Sequence, residues 1–333
     1  NDPRLKGVSS MGNNDITLIN KGIFTSCSKN NKCPPWSIKA EKIIHNKKKR
    51  QLEYSNAFIR VYDFPIIYLP KFFHPDPSVD RQSGFLRPQM NNSSILSTSL
   101  TVPYFKVLSE NKDFTFTPTI FENDLLMFEN EYRQVNKNSN FLLNFGYVDG
   151  YKSSLSNKKN SIFHIFSKLD LNLNLDNFIS SNFLVSLERI TNDTFLKVFD
   201  QNIQESDLKP DNSNTLVNQV DLSLSHENYN FNTGITVFEN LQKNSSDRYQ
   251  YIFPYYNFEK ELSENFLNST LNFISTGSNN LNNTNHLETS ITNDLALNGP
   301  DFVTKLGLKS NFEIDIKNLN SIGKNSSIYK SSP

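Results

Sequence analysis

From about residue 94 onward, apolar and polar positions alternate with a period of two. Phe114, Phe116 and Ile120 share one face and Thr115, Thr117 and Thr119 the other. Leu169, Leu171, Leu173 and Leu175 alternate with Asp170, Asn172, Asn174 and Asp176, and Val220, Leu222 and Leu224 with Asp221, Ser223 and Ser225. Tyr229, Phe231, Ile235 and Val237 follow, then Tyr249 to Tyr255, Leu267 to Phe273, Leu287 to Leu297, Phe302 to Lys309, and Phe312 to Ile316. Successive side chains of a strand point to opposite faces, so this period predicts strands with one greasy face. Asn, Ser, Gly and Asp separate the runs, as turns require, and most runs have about the nine to eleven residues that a tilted membrane strand needs.

The first 80 residues or so carry shorter units: Ile16 to Ile19, Gly22 to Thr25, Trp36 to Ala40, and two strands joined by the basic turn Lys47 to Arg50. Paired segments of this kind fit a jelly roll or a related open β-structure. Between Phe64 and Pro88 the texture changes, and the prolines at 65, 70, 75 and 77 rule out a long helix and restrict any sheet to its edge. This stretch reads as a shaped connector whose aromatic residues pack on a neighbour. The expected division is 1–80 for the front domain, 81–93 for the connector and 94–333 for the long strand array.

Composition narrows the choices. With 34 basic and 34 acidic side chains the net charge is zero, so no field steers a polyanion and no nucleic acid is expected as a partner. Aromatic residues reach 12%, which excludes a disordered chain. The longest near-apolar stretch, Phe64 to Leu69, is far short of the roughly 20 residues of a membrane helix. Any membrane contact is therefore made by strands or by a surface. The polar faces are Asn, Ser and Thr rather than Lys and Glu, which suits a wet barrel lumen, whereas Leu, Phe and Tyr on the other faces suit hydrocarbon and its interfacial belts. A soluble sandwich core accepts the same apolar residues, so periodicity alone leaves both architectures open. No signal peptide opens the chain at Asn1-Asp2-Pro3-Arg4, which leaves a cytosolic protein or one whose beginning has been removed.

Catalytic chemistry has little to rest on. The five histidines, His45, His74, His164, His226 and His286, lie in unrelated segments and none shows metal-ligand spacing. His74-Pro75-Asp76 reads as a polar pair in a proline-held turn, and Cys27 and Cys33 with His45 lack a fourth ligand for zinc. Glu129 with Glu131, or Asp170 with Asp176, would serve a glycosidase only if the carboxylates converged across a cleft, and lumen lining is the simpler account. The Lys47 to Arg50 cluster reads as a solvated hairpin turn, since no aromatic residue is interleaved with it. No enzyme, metal or cofactor is expected.

Several blocks stand in an order that resembles the LPS-assembly protein family, the large outer-membrane subunit of the lipopolysaccharide transport machine. They are Gly22-Ile23-Phe24-Thr25-Ser26-Cys27, Trp36-Ser37-Ile38-Lys39-Ala40, Ile43-Ile44-His45, Val61 to Pro70, and Arg81-Gln82-Ser83-Gly84-Phe85-Leu86-Arg87-Pro88. The likeness runs more loosely through Leu126 to Arg133 and Asp247 to Gln250. It implies an all-β fold, the C-terminal part of a periplasmic β-jelly roll followed by about half of a large antiparallel transmembrane β-barrel. On this reading the chain is an internal fragment lacking the signal peptide, the first jelly-roll strands and the last barrel strands, and an open half-barrel exposes edges that hydrocarbon does not tolerate.

The resemblance further implies translocation of lipopolysaccharide into the outer leaflet, with a plug lipoprotein inside the barrel and a periplasmic bridge protein at the jelly-roll edge as partners. An apolar groove for acyl chains then falls to Trp36, Ile38, Ala40, Ile59 and Val61, although an ordinary closed core uses such residues as well. Glu129 and Glu131 would line the lumen and help hold the plug. Pro103 and Pro118 match family prolines beside a lateral gate, with a bulge or bend as the plainer alternative. Cys27 matches a family cysteine that pairs with one near the far C-terminus, while a local Cys27–Cys33 loop is sterically possible. The competing readings are a porin or gated uptake barrel, for which a front domain is superfluous, and a soluble carbohydrate-binding β-domain.

Overall fold

The structure is a computed structural model that describes residues 4–25, 36–76, 81–152, 159–203, 206–244, 246–262 and 268–327. Cys27 and Cys33, with any disulfide they form, lie outside the described residues. Almost every described element is a strand, and no helix among them is long and apolar enough to cross a membrane. The chain divides into two compact units, 1–89 with 102–117, and 90–101 with 118–333.

The first unit is built on β1 (Arg4–Lys6), β2 (Ser9–Gly12), β3 (Ile16–Thr25), β4 (Trp36–Asn46), β5 (Gln51–Val61) and β6 (Phe64–Pro75). They form one antiparallel sheet in the order β1-β3-β4-β5-β6, with β2 also beside β3. The basic turn Lys47 to Arg50 joins β4 to β5 as the charge pattern predicts. The proline-rich stretch after Phe64 is not all connector: its first half is β6, an edge strand, the one position where Pro65 and Pro70 cost no ladder bond on a second side.

The core of this unit lies on one face of the sheet, where Phe24, Ile38, Ala40, Ile43, Leu52, Tyr54 and Ala57 are buried and Leu5, Ile19, Trp36 and Phe72 pack against them. The pairing reveals a feature that period-two reading misses. Asn20↔Lys42 and Gly22↔Ala40, Lys42↔Ser55 and Ala40↔Ala57, and Ser55↔Lys71 and Ala57↔Leu69 keep a common register, yet Lys21, Glu41, Asn56 and Pro70 between them are unpaired in the ladders. Across that row the buried positions switch parity, from Ile38 and Ala40 to Ile43 on β4, and from Ala57 to Tyr54 and Leu52 on β5. Lys21 and Asn56 have φ of 48° and 49°, the left-handed region that rotates a strand by a face.

Tyr54 is the largest fully buried side chain of this core. Its ring stacks on Phe72 at 4.7 Å and its hydroxyl lies 2.7 Å from His74 Nε2, while burial pushes the phenol's pKa up. Tyr54→Ala removes an aromatic ring from a closed core, an expected loss of about 3–5 kcal/mol. Hydrogen exchange of the β4 and β5 amides in the intact protein should be faster in this variant than in the parent.

β7 (Gly84–Phe85), β8 (Gln89–Ser93), β9 (Ser97–Thr101), β10 (Tyr104–Ser109) and β11 (Lys112–Phe121) follow. In the first unit β10 pairs with β7 and with the first part of β11, and Arg81 ties the connector to the hairpin tip through Asp113 at 2.6 Å and the carbonyl of Glu110.

The second unit continues with β12 (Leu126–Val135), β13 (Ser139–Tyr151), β14 (Asn160–Asn172), β15 (Ser180–Ile190), the short α1 (Phe195–Val198), β16 (Thr215–His226), β17 (Tyr229–Asn240), β18 (Tyr249–Leu262), β19 (Thr270–Asn282), β20 (His286–Asn298), β21 (Phe302–Val303), β22 (Lys309–Ser310) and β23 (Glu313–Lys324). From β11 to β20 each strand pairs antiparallel with the next, and β23 closes the run on β20. Among the described residues β23 has no second neighbour, so this sheet is open. The leucine run past Asn172 and the stretch Phe302 to Lys309 differ from the expected strands. Leu173 and Leu175 stand in the turn after β14, where Asn174 at φ 49° breaks the extended backbone, and Phe302 and Lys309 sit in a small separate hairpin with Gly307 at φ 82°.

Candidate functional site

The register of the second unit sorts its side chains into two faces. Phe141, Leu169, Val185, Val220 and Ile235 stand in one row across β13 to β17, and Phe273, Leu295 and Ile316 in another across β19, β20 and β23. Phe145, Tyr147 and Phe163 on this face are each more than a third exposed. On the opposite face Asn172, Asn182, Ser223, Asn232, Asn257, Thr276 and Thr292 form an unbroken polar row across β14 to β20. This sheet thus carries aromatic and aliphatic rows on one face and a row of amides and hydroxyls on the other.

The polar face is not bare. Residues 191–203 and 206–214, between β15 and β16, fold over one end of it, burying Phe195, Leu196, Phe199, Ile203 and Leu208 against Met127, Val148, Ile162, Phe166 and Ile190. Arg248 holds the start of that segment through Asp193 at 2.7 Å and also reaches Glu239 at 2.9 Å.

Under the segment lies a buried polar cluster. Glu129, Gly146 and His164 are directly paired across β12, β13 and β14, with Asn144 one step along. Asn144 Nδ2 donates to Glu129 Oε2 at 3.1 Å, and His164 Nε2 lies 2.7 Å from Asn144 Oδ1 and 3.4 Å from Glu129 Oε1. The His164 ring stands against Phe166 and Phe195, with centroids 4.6 Å and 4.8 Å away. Gly146 makes room for it: a Cβ there would fall 2.3 Å from His164 Cε1 and 3.3 Å from Glu129 Oε1. Gly146→Ala therefore forces the imidazole out of its notch at a cost of about 1–3 kcal/mol. The folded, fast-migrating band of the intact protein on a mildly denaturing gel should be lost at a lower temperature than in the parent.

Expected lumen-lining residues Glu129 and Glu131 both lie on this polar face and are buried, with Arg133 3.4 Å from Glu131. Sequence reasoning did not single out His164, Asn144 or Gly146; the alternation placed them, but only pairing shows that they meet. Asp170 lies within β14, two residues before its end, and Asp176 lies in the following turn, so they do not share a strand face. Among the described residues no group of three or more His, Cys, Asp and Glu is placed to hold a metal. His74 contacts Tyr54, and Asp76 contacts His45.

The groove candidates of the first unit share one face. Trp36↔Val61 and Ile38↔Ile59 are cross-strand pairs with Ala40↔Ala57 next along, Ile38 and Ala40 being buried and Trp36, Ile59 and Val61 half-buried. The two prolines occupy special places. In the first unit the β10–β11 ladder begins at Tyr104↔Phe116, with the Pro103 carbonyl accepting from the Leu86 amide at 2.8 Å. In the second the β9–β11 ladder begins at Thr101↔Thr119, where the two threonine hydroxyls lie 2.8 Å apart. Neither ladder includes Val102, Pro103, Thr117 or Pro118.

No family model matches the chain. It is similar to curated proteins described as LPS-assembly protein LptD. The one from Idiomarina loihiensis is 26% identical over 60% of this chain and 26% of its own length. Those from Nitrosomonas eutropha and Shewanella oneidensis are 31% and 35% identical over 44% and 36% of this chain, and over 21% and 15% of their own lengths. The chain thus spans about a quarter or less of the curated relatives it matches. These likenesses are to parts of those proteins and are accompanied by an all-β architecture in the described residues of this chain.

Proposed function

We propose that this chain is part of a non-catalytic outer-membrane component that moves lipopolysaccharide into the outer leaflet. In this reading residues 1–80 are the C-terminal part of a periplasmic jelly roll, 81–93 a connector, and 94–333 the N-terminal part of a large barrel. The observation that carries it is the division of faces in the second unit, an open apolar face backed by an unbroken polar row, taken together with the family-level likeness.

An amphiphile needs two surfaces along its route, an apolar one for acyl chains and a wet one for sugars and phosphates. The row Trp36, Ile38, Ala40, Ile59 and Val61 supplies the first in the periplasmic domain, where each CH₂ removed from water contributes about 0.8 kcal/mol. The Asn, Ser and Thr face of the barrel supplies the second and also receives the plug lipoprotein, with Glu129 and Glu131 among its polar lining. A bridge protein docks at the jelly-roll edge. Pro103 and Pro118, outside the β10–β11 and β9–β11 ladders, lie beside the weak seam between the first and last barrel strands through which acyl chains leave sideways, and Cys27 forms a long-range disulfide in the mature protein. A porin has no use for the sheet of β3 to β6.

A photocrosslinking residue at Ile38, Ile59 or Val61 of the intact protein should capture lipopolysaccharide, whereas one at exposed Met11 should not. Equal, low capture at every position rejects the groove. Recovery of the native protein in the soluble periplasmic fraction rejects the membrane reading altogether.

A further inference from the structure

The outer face of the β3–β6 sheet, opposite its core, is not the polar surface that a solvated sheet carries. Ile23, Lys39, Phe58 and Tyr68 form one row across β3, β4, β5 and β6. Ile23, Phe58 and Tyr68 are 37%, 41% and 50% exposed, with the two rings 5.0 Å apart. One row further lie Lys42 and Lys71, facing each other across Ser55, and beyond them Ile44 and the 43%-exposed Phe73 flank Glu53. The pattern is a lysine row between two apolar rows in the middle of a sheet. At the end of the same strands the turn adds Lys47, Lys49 and Arg50, all exposed.

The two acids here bind amides rather than lysines: Glu53 accepts from Gln51 Nε2 at 2.6 Å and Glu41 from Asn56 Nδ2 at 2.6 Å, and three lysines outnumber them. Among the described residues Lys39, Lys42 and Lys71 make no ion pair. Exposed aromatic and aliphatic side chains interleaved with unneutralised lysines match the headgroup region of an anionic bilayer, where rings sit at the interface and ammonium groups reach the phosphates.

We propose that the outer face of the β3–β6 sheet is a membrane-docking surface for anionic phospholipid headgroups, distinct from the groove on its inner face. The proposal rests on the reading of the second unit as a membrane barrel.

The test reconstitutes the intact protein in phosphatidylcholine nanodiscs with or without phosphatidylglycerol, including a fluorescent phosphatidylglycerol tracer, and places a benzophenone amino acid at Tyr68 or, as a control, at Met11. The expected result is tracer attached at Tyr68 but not at Met11, rising with phosphatidylglycerol content. It should fall at least about tenfold in a Lys39→Gln, Lys42→Gln, Lys71→Gln variant, given what each lysine contributes near an anionic surface. Attachment that is absent, equal at Tyr68 and Met11, or unchanged in the lysine variant overturns the proposal, as does crosslinking of Tyr68 to a protein segment in its place. A protein that does not co-elute with the discs defeats the barrel reading and this one with it, whereas co-elution without tracer attachment defeats this one alone.

Discussion

Replacing both Pro103 and Pro118 by alanine in the intact protein should slow delivery of lipopolysaccharide to the cell surface while leaving the barrel assembled. Neither proline has an N–H, and both lie where the ladders of β9 and β10 on β11 are interrupted. Alanine restores two donors, and each backbone hydrogen bond regained contributes about 0.5–1.5 kcal/mol, so a seam that must part for acyl chains opens roughly 5- to 150-fold less often. The measurement is pulse-labelled lipopolysaccharide reaching a surface-modifying reagent, with folded protein quantified in parallel. If the prolines only bend the strand, the double variant assembles poorly and what does assemble transports at the normal rate. Normal delivery by a correctly assembled double variant defeats the gate.

The second large effect is expected from the segment between β15 and β16. Phe195 and Phe199 are fully buried, pack on each other at 5.0 Å and close over the His164 cluster. Truncating a buried phenylalanine costs about 3–5 kcal/mol, more than a surface-anchored segment retains by other means. The Arg248–Asp193 pair is partly solvated and compensates for little of that loss. Phe195→Ala with Phe199→Ala should therefore unseat the segment without unzipping the strand ladders, exposing the polar face beneath. In planar bilayers the variant should conduct more than the parent, and cells carrying it should become sensitive to bulky hydrophilic antibiotics. Unchanged conductance with an intact folded band would mean that the segment does not obstruct the lumen.

The strand array was legible because a half-buried strand writes its two environments into alternate letters. Val220, Leu222 and Leu224 against Asp221, Ser223 and Ser225 mark β16 without further help. What the letters could not convey was where alternation stops meaning extended chain. Leu173 and Leu175 continue the pattern beyond the end of β14, because a turn built on Asn174 tolerates leucines at its rim as readily as a strand does. The buried cluster was hidden for a different reason. Glu129, Asn144 and His164 are spread over three strands, and their meeting depends on register and on the absence of a side chain at Gly146. The segment between β15 and β16 was likewise unreadable as a cover, since its apolar residues follow no fixed period. In the first unit the parity change at Lys21 and Asn56 defeats any reading that carries one alternation through a whole strand.

That parity change has a consequence for how this sheet tolerates alteration. Lys21, Glu41, Asn56 and Pro70 lie in one line across β3, β4, β5 and β6, so the sheet behaves like a page creased once, with all its strands turning over together. Losing one residue from a single strand at the crease would turn half of that strand inside out against neighbours that had not moved. Ile43 or Tyr54 would face water while Ile44 or Glu53 took its place in the core. Changes of length in this region are therefore coupled: a deletion in one strand is survivable only if the adjoining strands shed a residue at the same line.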